Sequence, residues 1–156
     1  MTQLPLRIPR NDASIHLRDT RLPASIMNPA IHTSQRRLLV VDDDHDLVDA
    51  LCEWIALNSA WTPVGAYGSA DAIAQAGASA PDAILLDMEM DGLDGFDTAD
   101  RLDRASAPRH PSLFALTGNP QLRDEAALDA RFTASLLKPA NLQALVKLLE
   151  HESFHH

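Results

Sequence analysis

Four short apolar runs in this chain each end on a side chain capable of chemistry. Leu38-Leu39-Val40-Val41 runs into Asp42-Asp43-Asp44, and Ala83-Ile84-Leu85-Leu86 into Asp87. Leu113 to Leu116 runs into Thr117-Gly118, and Ser135-Leu136-Leu137 into Lys138-Pro139. If these runs are strands of one sheet, carboxylates, a hydroxyl and an ammonium converge on one edge. Converging carboxylates repel, and in a partly dehydrated cleft at least one pKa rises unless a cation compensates. Hard oxygen ligands in this number favour Mg²⁺, which takes one or two carboxylates plus phosphate oxygens in preference to a full protein cage. Such a site has room for a phosphoryl group. Phosphoryl transfer needs an in-line nucleophile, a metal on the phosphoryl oxygens and further donors to the rest. Asp87 can be the nucleophile, because carboxylates form acyl phosphates. Asp42 and Asp43 can hold Mg²⁺ directly or through water, Lys138 can neutralise one phosphoryl oxygen, and Thr117 can donate a hydrogen bond to another.

The elements that must position these groups follow from periodicity. Leu38 to Val41 and Ala83 to Leu86 have the unbroken apolarity of strands covered on both faces. Thr62 to Tyr67 is a weaker strand whose Pro63 suits a sheet edge, where a missing amide costs little. Between the strands, Leu47, Val48, Leu51, Trp54 and Ile55 keep to one helix face that ends near Asn58. Ala70 to Ala78 is Ala-rich and helical, Phe96, Ala99 and Leu102 begin a third helix, and Leu122 to Asp129 forms a short polar one. Asn141 caps a last helix bearing Leu142, Leu145, Val146 and Leu149. Five strands alternate with five helices, which implies right-handed crossovers and a parallel sheet with helices on both faces. The expected fold is a doubly wound α/β sandwich. In such sheets ligands collect at the carboxyl ends of the strands.

Length and charge narrow the reading. The 156 residues fit one domain, placed at 36–150. Residues 1–35, with four prolines and no sustained periodicity, are expected to be a mobile tail, and 151–156 a short C-terminal one. The tail lacks the apolar core of a secretory signal. Met27, just ahead of the first strand, marks residues 1–26 as a candidate upstream extension; a native mass counted from Met1 would exclude that. No apolar run approaches the roughly 20 residues of a bilayer span. A lone cysteine, Cys52, excludes an intramolecular disulfide and is expected to be a small buried residue in a reducing, cytoplasmic setting. The net charge of −9 is uneven: residues 1–37 carry six Arg against two Asp, and the remainder seven Lys+Arg against twenty Asp+Glu. An acidic domain repels a phosphate backbone, so direct nucleic-acid binding is not expected.

Several features have plainer alternatives. Asp is common in solvated loops and at helix N-caps, and singly each acid reads that way; together with Lys138 and Thr117 they read as a site. Asp44 is expected to cap the first helix, and Asp91, Asp94, Asp97, Asp100 and Asp103 to form a solvated acidic face. His151-Glu152-Ser153-Phe154-His155 spells a metalloprotease pattern but sits at a helix end with no third ligand after it. His45 is expected to be exposed, and Trp54 and Trp61 to pack in the core or at an edge.

The motifs Leu38 to Asp44, Ile84-Leu85-Leu86-Asp87-Met88-Glu89-Met90-Asp91-Gly92-Leu93-Asp94-Gly95, Ala115-Leu116-Thr117-Gly118 and Leu136-Leu137-Lys138-Pro139 together resemble the receiver domain of two-component response regulators, over about residues 36–150. The resemblance implies a flavodoxin-like sheet of order 2-1-3-4-5. It further implies a signalling switch, not a conventional enzyme: Asp87 takes a phosphoryl group from a phosphohistidine on a sensor histidine kinase or histidine phosphotransfer protein. Asp42, Asp43, Asp87 and the backbone carbonyl of Glu89 would hold Mg²⁺. Pro139 would be cis, aiming Lys138 into the site, and Thr117 would move toward the phosphoryl group. With few residues after the last helix, output is expected through protein contact with a downstream target or through onward transfer, as in a phosphorelay intermediate or phosphate sink. Departures from the family pattern are Asp91 in place of a proline, Ser135 in place of the aromatic three positions before the lysine, Ala140 in place of an aromatic, and a slightly short segment from Thr117 to Lys138. They motivate a rival reading, a receiver-like scaffold that binds partners without phosphorylation. An aspartate-nucleophile phosphatase is disfavoured because no second Asp stands two positions after Asp87.

Overall fold

A computed structural model describes residues 35–153, and they form the expected parallel sheet. The elements run β1 (Arg37–Val41), α1 (His45–Asn58), β2 (Thr62–Ala66), α2 (Ser69–Ser79), β3 (Ala83–Asp87), α3 (Gly95–Ala105), β4 (Ser112–Thr117), α4 (Pro120–Leu128), β5 (Ala134–Leu137) and α5 (Leu142–Ser153). Strand order is β2-β1-β3-β4-β5, with every neighbouring pair parallel. Pro63 does lie on the edge strand. The expected tail, but for Gln35, and residues 154–156, including His155, lie outside the described residues.

Period-two alternation splits the core into two layers. Leu39, Val41, Ile84, Leu86, Leu113 and Ala115 face one way and meet Ala72 and Ala76 of α2, Ala99 and Leu102 of α3, and Ala126 of α4. Leu38, Val40, Leu85, Phe114 and Leu116 face the other way, onto Val48, Leu51 and Ile55 of α1 and Leu145 and Leu149 of α5. Successive strand residues point to opposite faces, so a strand covered on both sides must be apolar throughout. Each large side chain buried here contributes roughly 1.5–3 kcal/mol relative to exposure.

Some expectations shift in detail. Asp87 and Thr117 are the last residues of their strands and not the first of the loops beyond. Helix α5 continues to Ser153, past the expected boundary at 150, which puts His151 and Glu152 on helix and not in a tail. Cys52 is only half-buried; its thiol is pushed up to about 11 by burial and then by Asp49. Asp44 caps α1 as expected, its side chain accepting from the Leu47 amide at 3.2 Å. The acid run along α3 is more than a solvated face. Asp94 caps the helix through the Phe96 amide at 2.6 Å, Asp100 pairs with Arg131 at 3.1 Å, and Asp103 meets His110 at 3.0 Å. Arg131 and His110 belong to other segments, which helical spacing by itself does not reveal.

Candidate functional site

The sheet brings Asp42, Asp43, Asp87 and Lys138 together at its carboxyl edge. Asp42 follows β1 and is buried; its Oδ1 accepts from the Asp44 amide at 3.0 Å and its Oδ2 from the Lys138 ammonium at 2.9 Å. Asp87 is equally buried, with Oδ1 accepting from the Glu89 amide at 3.0 Å and lying 3.3 Å from Lys138 Nζ. Asp43 is exposed, and its Oδ2 is 3.4 Å from the Asp91 amide that donates to it. One carboxylate oxygen from each of the three acids lies within 4.8 Å of the others.

Local backbone order explains how Lys138 gets there. Its amide donates to the Thr117 carbonyl at 2.8 Å, which extends the β4–β5 ladder by one step, and the Lys138–Pro139 bond is cis, as the resemblance implied. The Met88 amide likewise donates to the Leu116 carbonyl at 2.9 Å, so the chain leaves Asp87 still tied to β4. Gly95 lets α3 begin against this turn: a Cβ there would stand 2.9 Å from Met88 Cα and 3.0 Å from its carbonyl oxygen. Gly92 holds a φ of 103°, a backbone conformation with little penalty only for glycine.

The electrostatics are those of crowded carboxylates. Burial pushes Asp87 up to about 6, and the charge of Asp42 adds to that, against the Glu89 amide and Lys138. Burial opposes ionisation of Asp42 as well, but its bonds from Lys138, Asp44 and Asp87 outweigh it and hold the carboxyl below the ordinary range. Lys138 is raised: desolvation works against its charge, and the hydrogen bond to Asp42 with the field of both acids overcomes it. Two neighbouring acids thus divide into one readily ionised and one reluctant member. The three-acid donor set, two of its members dehydrated, fits a hard divalent ion such as Mg²⁺.

Thr117 is fully buried at the end of β4, and the acceptor of its hydroxyl is Glu89. The hydroxyl donates to Glu89 Oε2 at 2.8 Å, and the Gly118 amide donates to the same oxygen at 3.0 Å. The resemblance points to Glu89 twice, through its backbone carbonyl as a ligand and through its side chain, with that of Asn119, as a polar group placed to orient or obstruct a water; which donors the carboxylate takes is set by residues far apart in the chain. Asn119 caps α4 through the Gln121 amide at 2.9 Å, while its own amide donates to Thr117 Oγ1 at 3.0 Å. Ser135, where the family pattern has an aromatic, donates to the Arg123 carbonyl of α4 at 2.8 Å. Ala140 joins Leu47, Leu51, Leu116, Pro139 and Leu142 around an apolar cavity of about 470 Å³ beside Lys138. Trp61 is buried and Trp54 half-buried, both packed in the α1 layer, and His45 is exposed with its ring 4.3 Å from that of Tyr67.

A parallel sheet of this order with acids and a lysine at its carboxyl edge defines a class of signalling fold, and comparison with known proteins agrees. Residues 38–150 match the family model of the response regulator receiver domain, and the chain belongs to that family. Among solved structures it is similar to a CheY-like receiver domain protein from Methanospirillum hungatei JF-1, with 20% identity and a TM-score of 0.67 over 76% of this chain and 94% of that one. It is similar also to response regulator protein TrrA from Thermotoga maritima, in complex with Mg²⁺-BeF, at 20% identity and a TM-score of 0.65 over 75% and 98%. A signal receiver domain of a DNA-binding response regulator from Colwellia psychrerythraea 34H matches at 25% identity with a TM-score of 0.64 over 76% and 98%. Among the described residues no helix is long and apolar enough to cross a membrane.

Proposed function

We propose that Asp87 accepts a phosphoryl group from a phosphohistidine of a sensor histidine kinase or histidine phosphotransfer protein in the cytoplasm, and that the acyl phosphate switches the surface this domain offers a downstream protein. One observation carries the reading: the Lys138 ammonium reaches both buried acids, Asp42 at 2.9 Å and Asp87 at 3.3 Å, at the mouth of a three-carboxylate cluster. In the transfer, a carboxylate oxygen of Asp87 attacks phosphorus as the N–P bond breaks, and the imidazole departs with the bonding pair. Asp42, Asp43, Asp87 and the Glu89 carbonyl would hold Mg²⁺, which supplies neutralising charge to the phosphoryl oxygens. Lys138 keeps its contact with Asp42 and turns its remaining donors to the new group. Thr117 supplies a hydroxyl from the β4 side. Hydrolysis returns the free carboxylate: water attacks phosphorus, the P–O bond to Asp87 breaks with its electron pair left on the carboxylate, inorganic phosphate departs and the water's proton passes to solvent.

Incubation with Mg²⁺ and acetyl phosphate tests this. Intact mass should rise by one phosphoryl group in the wild type and stay unchanged in Asp87→Asn. A wild type that gains no mass, with no response to beryllofluoride, would leave a partner-binding scaffold as the better description.

A further inference from the structure

The donors on the β4 side of the pocket are already bound to an anion, and that anion is part of the chain. Glu89 Oε2 accepts both the Thr117 hydroxyl and the Gly118 amide, at 2.8 and 3.0 Å. Thr117 is wholly buried, so its hydroxyl has no water to fall back on. Two convergent donors, one a hydroxyl and one a backbone amide, are what an oxyanion requires. The same residue also ties itself to the acceptor, since the Glu89 amide donates to Asp87 Oδ1 at 3.0 Å. Glu89 therefore joins the acceptor carboxylate, through its amide, to the Thr117 and Gly118 donors, through its side chain.

We propose that Glu89 is a positioning residue whose carboxylate stands in for the phosphoryl group, holding the Thr117 and Gly118 donors in the unmodified protein and yielding them when Asp87 is phosphorylated. This rests on the phosphoacceptor reading of Asp87. The exchange trades one set of charge-assisted hydrogen bonds for another, so Glu89 opposes loading without preventing it. Its release also acts on α4: Asn119, which caps that helix, donates its amide to Thr117 Oγ1, and Ser135 holds the Arg123 carbonyl one turn further along. Movement of Thr117 toward Asp87 thus pulls directly on the helix cap, a route that needs no aromatic at position 135.

Beryllofluoride binding in Mg²⁺, followed by ¹⁹F NMR, and the Gly118 amide resonance in metal-free protein together test the proposal. Glu89→Ala should shift the Gly118 amide proton upfield and raise beryllofluoride affinity about tenfold, the scale of one charge-assisted bond. Glu89→Gln, which keeps an acceptor oxygen but loses the charge, should gain only about two- to threefold on the same scale. Equal gains in the two variants would assign the effect to charge repulsion and overturn the proposal. An unmoved Gly118 resonance, or unchanged or weaker affinity in Glu89→Ala, would overturn it as well. Failure of the underlying reading looks different: neither wild type nor any variant would then bind beryllofluoride, and the displacement would fall with it.

Discussion

The Arg131 corner and the Asp87 pocket are both built from carboxylates around a single cation, and they are balanced differently. At the corner, Arg131 pairs with Asp129 at 2.7 Å and Asp100 at 3.1 Å, donates to the Phe96 carbonyl at 3.1 Å, and lies over the Phe96 ring at 5.2 Å. The hydrogen bond from Arg131 holds Asp129 down to about 2. Both side chains keep substantial contact with water, so little desolvation is incurred. In the pocket, three acids cluster with one ammonium, which pairs with the two that are nearly sealed from solvent. Asp87 sits at about 6 as a result. The corner fastens α3 to the segment entering β5. The pocket retains uncompensated negative charge that a cation or a change at Asp87 relieves, and a residue under such tension is one whose modification has consequences for the rest of the domain.

The contrast is sharpest in chemistry. Asp87→Asn should abolish acetyl-phosphate labelling by intact mass, whereas Arg131→Ala should label at near the wild-type rate; equal loss in both would erase the distinction. In stability the two sites should move in opposite directions. In metal-free buffer at pH 7, Asp87→Asn should raise the unfolding free energy, by on the order of 1–2 kcal/mol, because the fold favours the neutral acid. The sign follows from the raised pKa: wild-type stability from this group is full below about pH 4 and is lost as pH climbs through about 6. The advantage of Asp87→Asn in urea titrations should therefore shrink toward zero at acid pH, and a constant difference across the range would contradict the assignment.

A smaller effect should come from Mg²⁺, which stabilises the folded state by binding it preferentially. A rise of a few degrees in Tm, on the order of 1 kcal/mol, is expected for the wild type, with a reduced rise in Asp43→Ala. An identical rise in that variant would remove Asp43 from the cation site. The smallest change belongs to the corner: Arg131→Ala should cost at most about 1 kcal/mol, shrinking in high salt. The lowered pKa of Asp129 means that its contribution persists at neutral pH and is lost only as pH falls through about 2. A loss beginning near neutral pH would contradict that direction.

Much of this architecture is legible in local pattern. Unbroken apolar runs mark β1, β3 and β4, and Pro63 marks the edge, because burial on two faces and the lack of an amide each constrain residue type without reference to distant partners. The residues at the strand ends could be read for the same reason. The tasks of Asp100 and Asp103 could not, since their pairing with Arg131 and His110 is a matter of which loop meets which helix. In the sequence Ser135 is only a missing aromatic; in the fold its hydroxyl donates to the Arg123 carbonyl.

Residue order by itself determined that Asp42, Asp87, Thr117 and Lys138 would lie at one edge of a parallel sheet, since a strand's carboxyl end is set by chain direction and parallel pairing puts all such ends on one side. Only the tertiary structure decided which atoms touch: that Lys138 spans Asp42 and Asp87, and that Glu89 Oε2 takes the Thr117 and Gly118 donors. Hydrogen bonds act over about 3 Å and depend on angle. Such contacts depend on strand register and on the loop turns at Gly92 and Gly95, and neither leaves a periodic signature in the chain.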